Sequence, residues 1–175
     1  MPFTVWRPGM IMTEERLNDA AMIGAVVFLA NRGTSQNIPS GSDSAANALA
    51  WDEVTMDLLG GWSAAQPTRW TCPKAGWWKF EGAIGFNASA GGTTRECVWY
   101  VNGGGISMGR SRTFGNTMAS VPITVEARTL SRQLAVGDYV ELVPAHNSVS
   151  PNPDPLTTAT GTYRPYMSIT YAGPV

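Results

Sequence analysis

The chain has 175 residues, of which 43% are hydrophobic and only 14% charged, with 19 Gly, 12 Pro and a formal net charge of −1. That length supports one full core rather than two comfortable domains. With Arg and Lys scattered singly, it carries no electrostatic footprint for nucleic acid or an anionic membrane, and no apolar run approaches the roughly 18 residues needed to span a bilayer.

Residues 1–24 stand apart from the rest. Trp6-Arg7-Pro8-Gly9 reads as a turn, and Thr13 is placed to N-cap a short helix with Glu14 and Glu15 in its first turn. Leu17, Met22 and Ile23 are the few large apolar residues of that helix. It is expected to be an arm that docks on a partner, with residues 25–175 forming the globular head. The opening Met-Pro-Phe-Thr-Val-Trp lacks the charged and apolar regions of a signal peptide, so the expected site of synthesis is the cytoplasm of the producing cell.

From Ala25 the apolar period becomes two. Val26 to Leu29 form a short continuous apolar run, predicting a strand buried on both faces. A second strand is predicted around Trp51 to Leu58, with Val54, Met56 and Leu58 on one face. After Pro73-Lys74-Ala75-Gly76, Trp78, Phe80, Ile84 and Phe86 share one parity and Lys79 and Glu81 the other, a half-buried alternation. Cys97, Trp99 and Val101 alternate with Glu96, Val98 and Tyr100 before Asn102-Gly103, a hairpin-turn signal. Val121, Ile123, Val125 and Ala127 follow, then Val140 and Leu142 after Gly137-Asp138, and Met167, Ile169 and Tyr171 close the chain. The Pro- and Thr-rich segment Asn147 to Thr162 reads as a long exposed loop. Short strands with turn chemistry between them predict an antiparallel sandwich or barrel.

Groups that could converge for catalysis are few. The one histidine, His146, has Ser148 and Asp154 nearby, at a spacing that is not diagnostic of a triad. Gly103-Gly104-Gly105 lacks the Lys-Ser/Thr of a phosphate loop. Asp52, Glu53, Asp57, Glu81 and Glu96 read as solvated charges, and no metal-ligand spacing is present. Two cysteines, Cys72 and Cys97, are too few for a disulfide framework and read as buried thiols. The excess lies in tryptophan: Trp51, Trp62, Trp70, Trp77, Trp78 and Trp99. An aromatic sugar-binding groove is one reading; core and subunit-interface packing is the favoured one. Because Trp77 and Trp78 are adjacent, at most one fills the core.

Pro73-x-x-Gly76-x-Trp78-x-Phe80, Val101-Asn102-Gly103 and Leu134-x-x-Gly137-Asp138-Tyr139-Val140-Glu141-Leu142, with Tyr166-Met167-Ser168-Ile169 near the end, resemble the strand signatures of the complement globular-head and tumour-necrosis-factor jelly rolls. The resemblance runs from about residue 25 to 172 in the right order. It implies a jelly-roll β-sandwich and a homotrimer. The family's Phe-Ser-Gly-Phe closing motif is absent, as are a collagen-like repeat and a secretion signal, which disfavours a secreted complement or cytokine domain. The segment Trp6-x-Pro8-Gly9-x-x-Met12-Thr13-x-x-x-Leu17-Asn18 is similar to the opening of many bacteriophage tail and fibre proteins.

Together the resemblances imply a non-enzymatic homotrimeric virion protein. Trp6, Pro8, Gly9, Thr13, Leu17 and Asn18 would anchor it to other virion proteins. Trp77, Trp78, Phe80, Trp99, Tyr139 and Tyr166 would supply the trimer interface or core. A minor tail or fibre protein contacting the host surface is the first expectation, a capsid decoration or head-fibre protein the second, and a carbohydrate-binding lectin head with a host glycan as partner the third. No cofactor, metal, nucleic acid or membrane insertion is expected.

Overall fold

The computed structural model of the protein describes residues 11, 13–114, 121–148 and 156–175. Helix α1 (Glu14–Met22) opens it, and the Thr13 hydroxyl accepts from the Arg16 N–H at 3.3 Å, the N-cap read from the sequence. The last turn of α1 is tied to the body of the molecule. Asp19 pairs with Lys74, Met22 packs against the core, and the Gly24 N–H donates to the Tyr171 carbonyl. Thr13 and Asn18 are exposed, as are Leu17 and Ile23, at 54% each. Trp6, Pro8 and Gly9 lie outside the described residues.

The strands in chain order are β1 (Val26–Asn31), β2 (Asn37–Ile38), β3 (Glu53–Asp57), β4 (Trp62–Ser63), β5 (Gln66–Thr71), β6 (Gly76–Phe86) and β7 (Thr94–Val101). There follow β8 (Gly104–Phe114), β9 (Ile123–Glu126), β10 (Leu130–Leu134), β11 (Tyr139–His146), β12 (Leu156–Thr157) and β13 (Tyr166–Gly173). One sheet has six strands in the order β10-β6-β13-β1-β3, with β9 also pairing with β6. The other has five, in the order β4-β5-β11-β7-β8, and β2 pairs with β12. All pairings are antiparallel, and the chain crosses between layers repeatedly, so that β5, β6 and β7 alternate sheets. The jelly-roll sandwich expected from the sequence is the observed fold.

Inward-facing aromatics fill the space between the layers. Trp70 meets Trp78 edge-on at 5.0 Å, Trp78 meets Tyr171 at 4.8 Å, and Phe80 lies 5.7 Å from Trp99. Such pairs add about 0.5–1.5 kcal/mol each beyond the area they bury. The β7–β8 turn uses Asn102 (φ 52°) and Gly103 (φ 75°), the two left-handed residues that a type I′ hairpin requires. Asn102 also braces the neighbouring turn: its amide donates to Asp138 at 2.8 Å, and its oxygen accepts from the Tyr139 N–H at 3.0 Å.

Four expectations are corrected. β1 is not buried on both faces: Val26 is 38% exposed and Leu29 half-buried, because its pairing with β13 sets them on the side of the sheet turned away from the core. Neither Met56 nor Leu58 shares the face of Val54: a register shift against β1 turns Met56 outward beside Leu29, while Val54 packs against the core. The Asp57 carboxylate accepts the Gly61 and Trp62 N–H groups, turning the chain so that Leu59 packs inward while Leu58 stays 64% exposed. The segment from Asn147 to Thr162 is not all exposed loop: β12 pairs with β2, and Thr158 and Ala159 are buried beneath it. Glu96 is no solvated charge. It is 8% exposed because residues 39–51 fold over the outer face of β7, burying Ala48, Val98, Tyr100 and Val143 together.

Candidate association surface

The register of the six-stranded sheet separates its two faces. Trp78, Phe80, Ile84 and Phe86 of β6 point to the core, and so do Met167, Ile169 and Tyr171 of β13. The opposite parity makes the outer face. Tyr166 sits beside Ala83 and Asn31, Ser168 beside Glu81 and Leu29, and Thr170 beside Lys79 and Val26. Met56 of β3 extends the row through Leu29, and Trp77 lies beside Gly173 and Gln133 at the far end. Val26, Leu29, Met56, Trp77 and Tyr166 belong to neither buried cluster, yet all but Val26 are already half-buried within one chain.

Most charges on this face are paired, with Glu126, opposite Ala83, the exception among the described residues. Lys79 pairs with Glu81 at 2.9 Å, and Glu53 with Arg164 at 2.6 Å. Burial, and secondarily the carboxylates of Glu126 and Glu81, push the Tyr166 phenol above its ordinary pKa, so its hydroxyl is a neutral donor across the physiological range. A sheet face whose charges are mostly paired, with half-buried Leu29, Met56, Trp77 and Tyr166 and exposed Val26, suits contact with another protein surface.

The outer face of the five-stranded sheet is closed by its own chain. Asp43, from the covering segment, accepts two hydrogen bonds from Arg110 at 2.9 and 2.7 Å and one from the Tyr100 hydroxyl at 2.7 Å. Glu96 in turn accepts from Arg110 at 2.6 Å and pairs with Arg112 at 2.7 Å. The Arg110 bond, joined by that of Tyr100, holds the Asp43 carboxyl below the usual range in spite of its burial; burial and Asp43 push the Tyr100 phenol up to about 12.

The sequence-predicted interface set therefore divides. Trp78, Phe80 and Trp99 are fully buried core. Trp77 and Tyr166 do lie on one outer face, at opposite ends of the β6–β13 pairing. Tyr139 belongs to the other sheet, with the Arg69 guanidinium 4.5 Å above its ring. Leu29 and Met56, the middle of the face, were missed, because the register shift between Leu29↔Met56 and Ala30↔Val54 breaks the alternation that had placed Met56 with Val54. A tryptophan-lined sugar groove loses most of its members, since Trp51 and Trp70 are also buried. Asp52 accepts the Gly33 N–H at 2.6 Å as well as the Thr34 hydroxyl, so it serves a turn.

His146 is 1% exposed and structural: its Nδ1 accepts the Ser148 N–H at 3.0 Å, leaving Nε2 to donate to the Ile38 carbonyl at 2.6 Å. Among the described residues no group of three His, Cys, Asp or Glu could hold a metal, and no helix is long and apolar enough to cross a membrane. Cys72 and Cys97 are buried free thiols.

The globular domain of zebrafish complement 1qA superposes with a TM-score of 0.58 at 11% identity, over 85% of this chain and 97% of that one. The Eiger TNF structure from S. frugiperda superposes with a TM-score of 0.60 at 7% identity, over 86% and 94%. The fold is the complement-head and TNF-like jelly roll. No protein-family model matches the chain, and no curated protein matches it in sequence.

Proposed function

We propose that the protein is a non-enzymatic structural component of a bacteriophage particle, a homotrimer associating through the outer face of the six-stranded sheet and attached to the virion by residues 1–24. The observation that carries the self-association is that face: Val26, Leu29, Met56, Trp77 and Tyr166 in one sheet, with its Lys79 and Glu53 charges already paired. A cyclic assembly covers such a patch in every copy at once. The likeness to complement-head and TNF-like domains supports a trimer as the closed form, and the Trp6-to-Asn18 pattern supports the phage attachment. Residues 1–24 thus act as an arm; the exposed Leu17 and Ile23 of its helix remain for a virion neighbour. A minor tail or fibre position is the first reading, and a capsid-decorating position the alternative.

The test of association is native mass at micromolar concentration for the intact chain and for Leu29→Glu with Met56→Glu. The intact chain is expected as a trimer and the double variant as a folded monomer with unchanged near-ultraviolet circular dichroism. A monomeric intact chain, or a variant that stays trimeric, overturns the reading. Labelled-antibody microscopy of phage particles tests the location: signal on the tail supports the first reading, signal on the capsid supports the alternative, and no signal on particles refutes both.

A further inference from the structure

Between β7 and β8 the register breaks. Val98 faces Arg110 and Tyr100 faces Gly105, so β7 advances two residues while β8 advances five. The surplus bows out at residues 106–109, a bulge of the kind that re-aims side chains. The bow is anchored at Gly109, where an added Cβ would lie 2.9 Å from the Trp99 ring. Beside it opens a cavity of about 500 Å³ lined by Ser107, Arg110, Ser111, Arg112 and Arg128.

Its wall holds three guanidinium groups and two hydroxyls, with no carboxylate among them. Arg110 and Arg112 are fixed by Asp43 and Glu96. Arg128 makes no ion pair among the described residues, and its backbone is pinned by the Trp99 indole N–H, which donates to the Arg128 carbonyl at 3.0 Å. Three cations against two carboxylates leave one positive charge uncompensated beside a polar, open space. Arg110 and Arg112, held by Asp43 and Glu96, keep a positive field there, and the Arg128 fork, without an ion pair among the described residues, has the planar donor geometry that matches an oxyanion.

We infer that this cavity binds the anionic group of a small ligand, a carboxylate or a sulfate of the kind an acidic sugar carries. The Arg128 fork supplies the charge, Arg110 and Arg112 supply the field behind it, and the Ser107 and Ser111 hydroxyls donate to the remaining oxygens. The site lies on the edge strand of the five-stranded sheet, and the inference does not rest on the association reading.

Met108 is the chain neighbour of Ser107, which lines the cavity, and is 71% exposed, so its methyl group serves as a nearby probe. The full chain, with carbon-13 methionine methyls, is titrated with sodium glucuronate, sodium sulfate and, as the neutral control, glucose. Saturable shifts of the Met108 signal with one or both anions, at a dissociation constant near about 1 mM, and none with glucose, are expected. Arg128→Ala should weaken binding about tenfold while leaving the other methyl signals in place, and Ser107→Ala, which removes no charge, should weaken it less. Equal shifts with glucose, no saturation with either anion, or unchanged binding by Arg128→Ala would each overturn the assignment.

Discussion

Removing the Asp43 carboxylate should loosen the segment that covers the five-stranded sheet. In Asp43→Ala, Arg110 loses two hydrogen bonds and keeps its bond to Glu96, while the Tyr100 hydroxyl, on a residue 7% exposed, loses its acceptor. A hydrogen bond to a charged group contributes about 1.5–3 kcal/mol. Since the side chains of Arg110 and Asp43 are 33% and 16% exposed, the low end applies to their pair. The stranded phenol adds about 1 kcal/mol, giving a total near 2–3 kcal/mol. For a chain of this length that corresponds to a fall in Tm of about 5–10 °C. Thermal unfolding followed by circular dichroism measures it, with protein concentration held fixed because association of copies, as proposed, would contribute to apparent stability. Combining Asp43→Ala with Arg110→Ala should show a coupling of about 1 kcal/mol or more. A loss below about 0.5 kcal/mol, or strictly additive effects, would show that the covering segment is held by its apolar contacts alone.

Two further outcomes follow from the same geometry. Gly85→Ala would drive a Cβ onto the Tyr163 carbonyl oxygen, so it should cost about 1–3 kcal/mol in urea unfolding and expose the β12 segment to proteolysis. Asp43, Asp52 and Asp138 all have carboxyl groups held below 3.8 in the folded chain: Asp43 by Arg110, Asp52 by the Thr34 and Gly33 bonds outweighing its burial, Asp138 by Asn102. Their stabilisation is present above that value and lost as pH falls through the lower folded values. Burial raises Glu141, which works in the opposite direction. An acid unfolding limb below about pH 4 is therefore expected, and it should flatten in Asp43→Asn; a limb unchanged by that substitution contradicts the assignment.

The strands that were legible are those whose burial is decided by one alternating face. β6 and β13 carry large apolar residues at period two, and the Asn102-Gly103 and Gly137-Asp138 turns supply the positive φ angles found there; β11, announced by Val140 and Leu142, is buried on both faces. The covering segment 39–51 was not legible, because its hold on the sheet comes from one carboxylate and a few small apolar groups rather than a periodic stripe. β12 was hidden by its Pro- and Thr-rich surroundings. Of the association face, Trp77 and Tyr166 were read from residue type. Trp78, Phe80 and Trp99 were offered as interface or core, and only the register decides for core. The arginine cavity had no linear signature, since Arg128 joins Arg110 and Arg112 only across the edge of the sandwich.

The break between β9 and β10 has a consequence for growth. Two short strands of four and five residues share the flank of β6 where one long strand could have run, and β8 on the opposite sheet is interrupted by its bow. Neither flank offers a long, regular ladder on which a further chain could template itself strand by strand. A chain with so little charge to keep copies apart is thereby steered away from growth by strand addition at these two flanks.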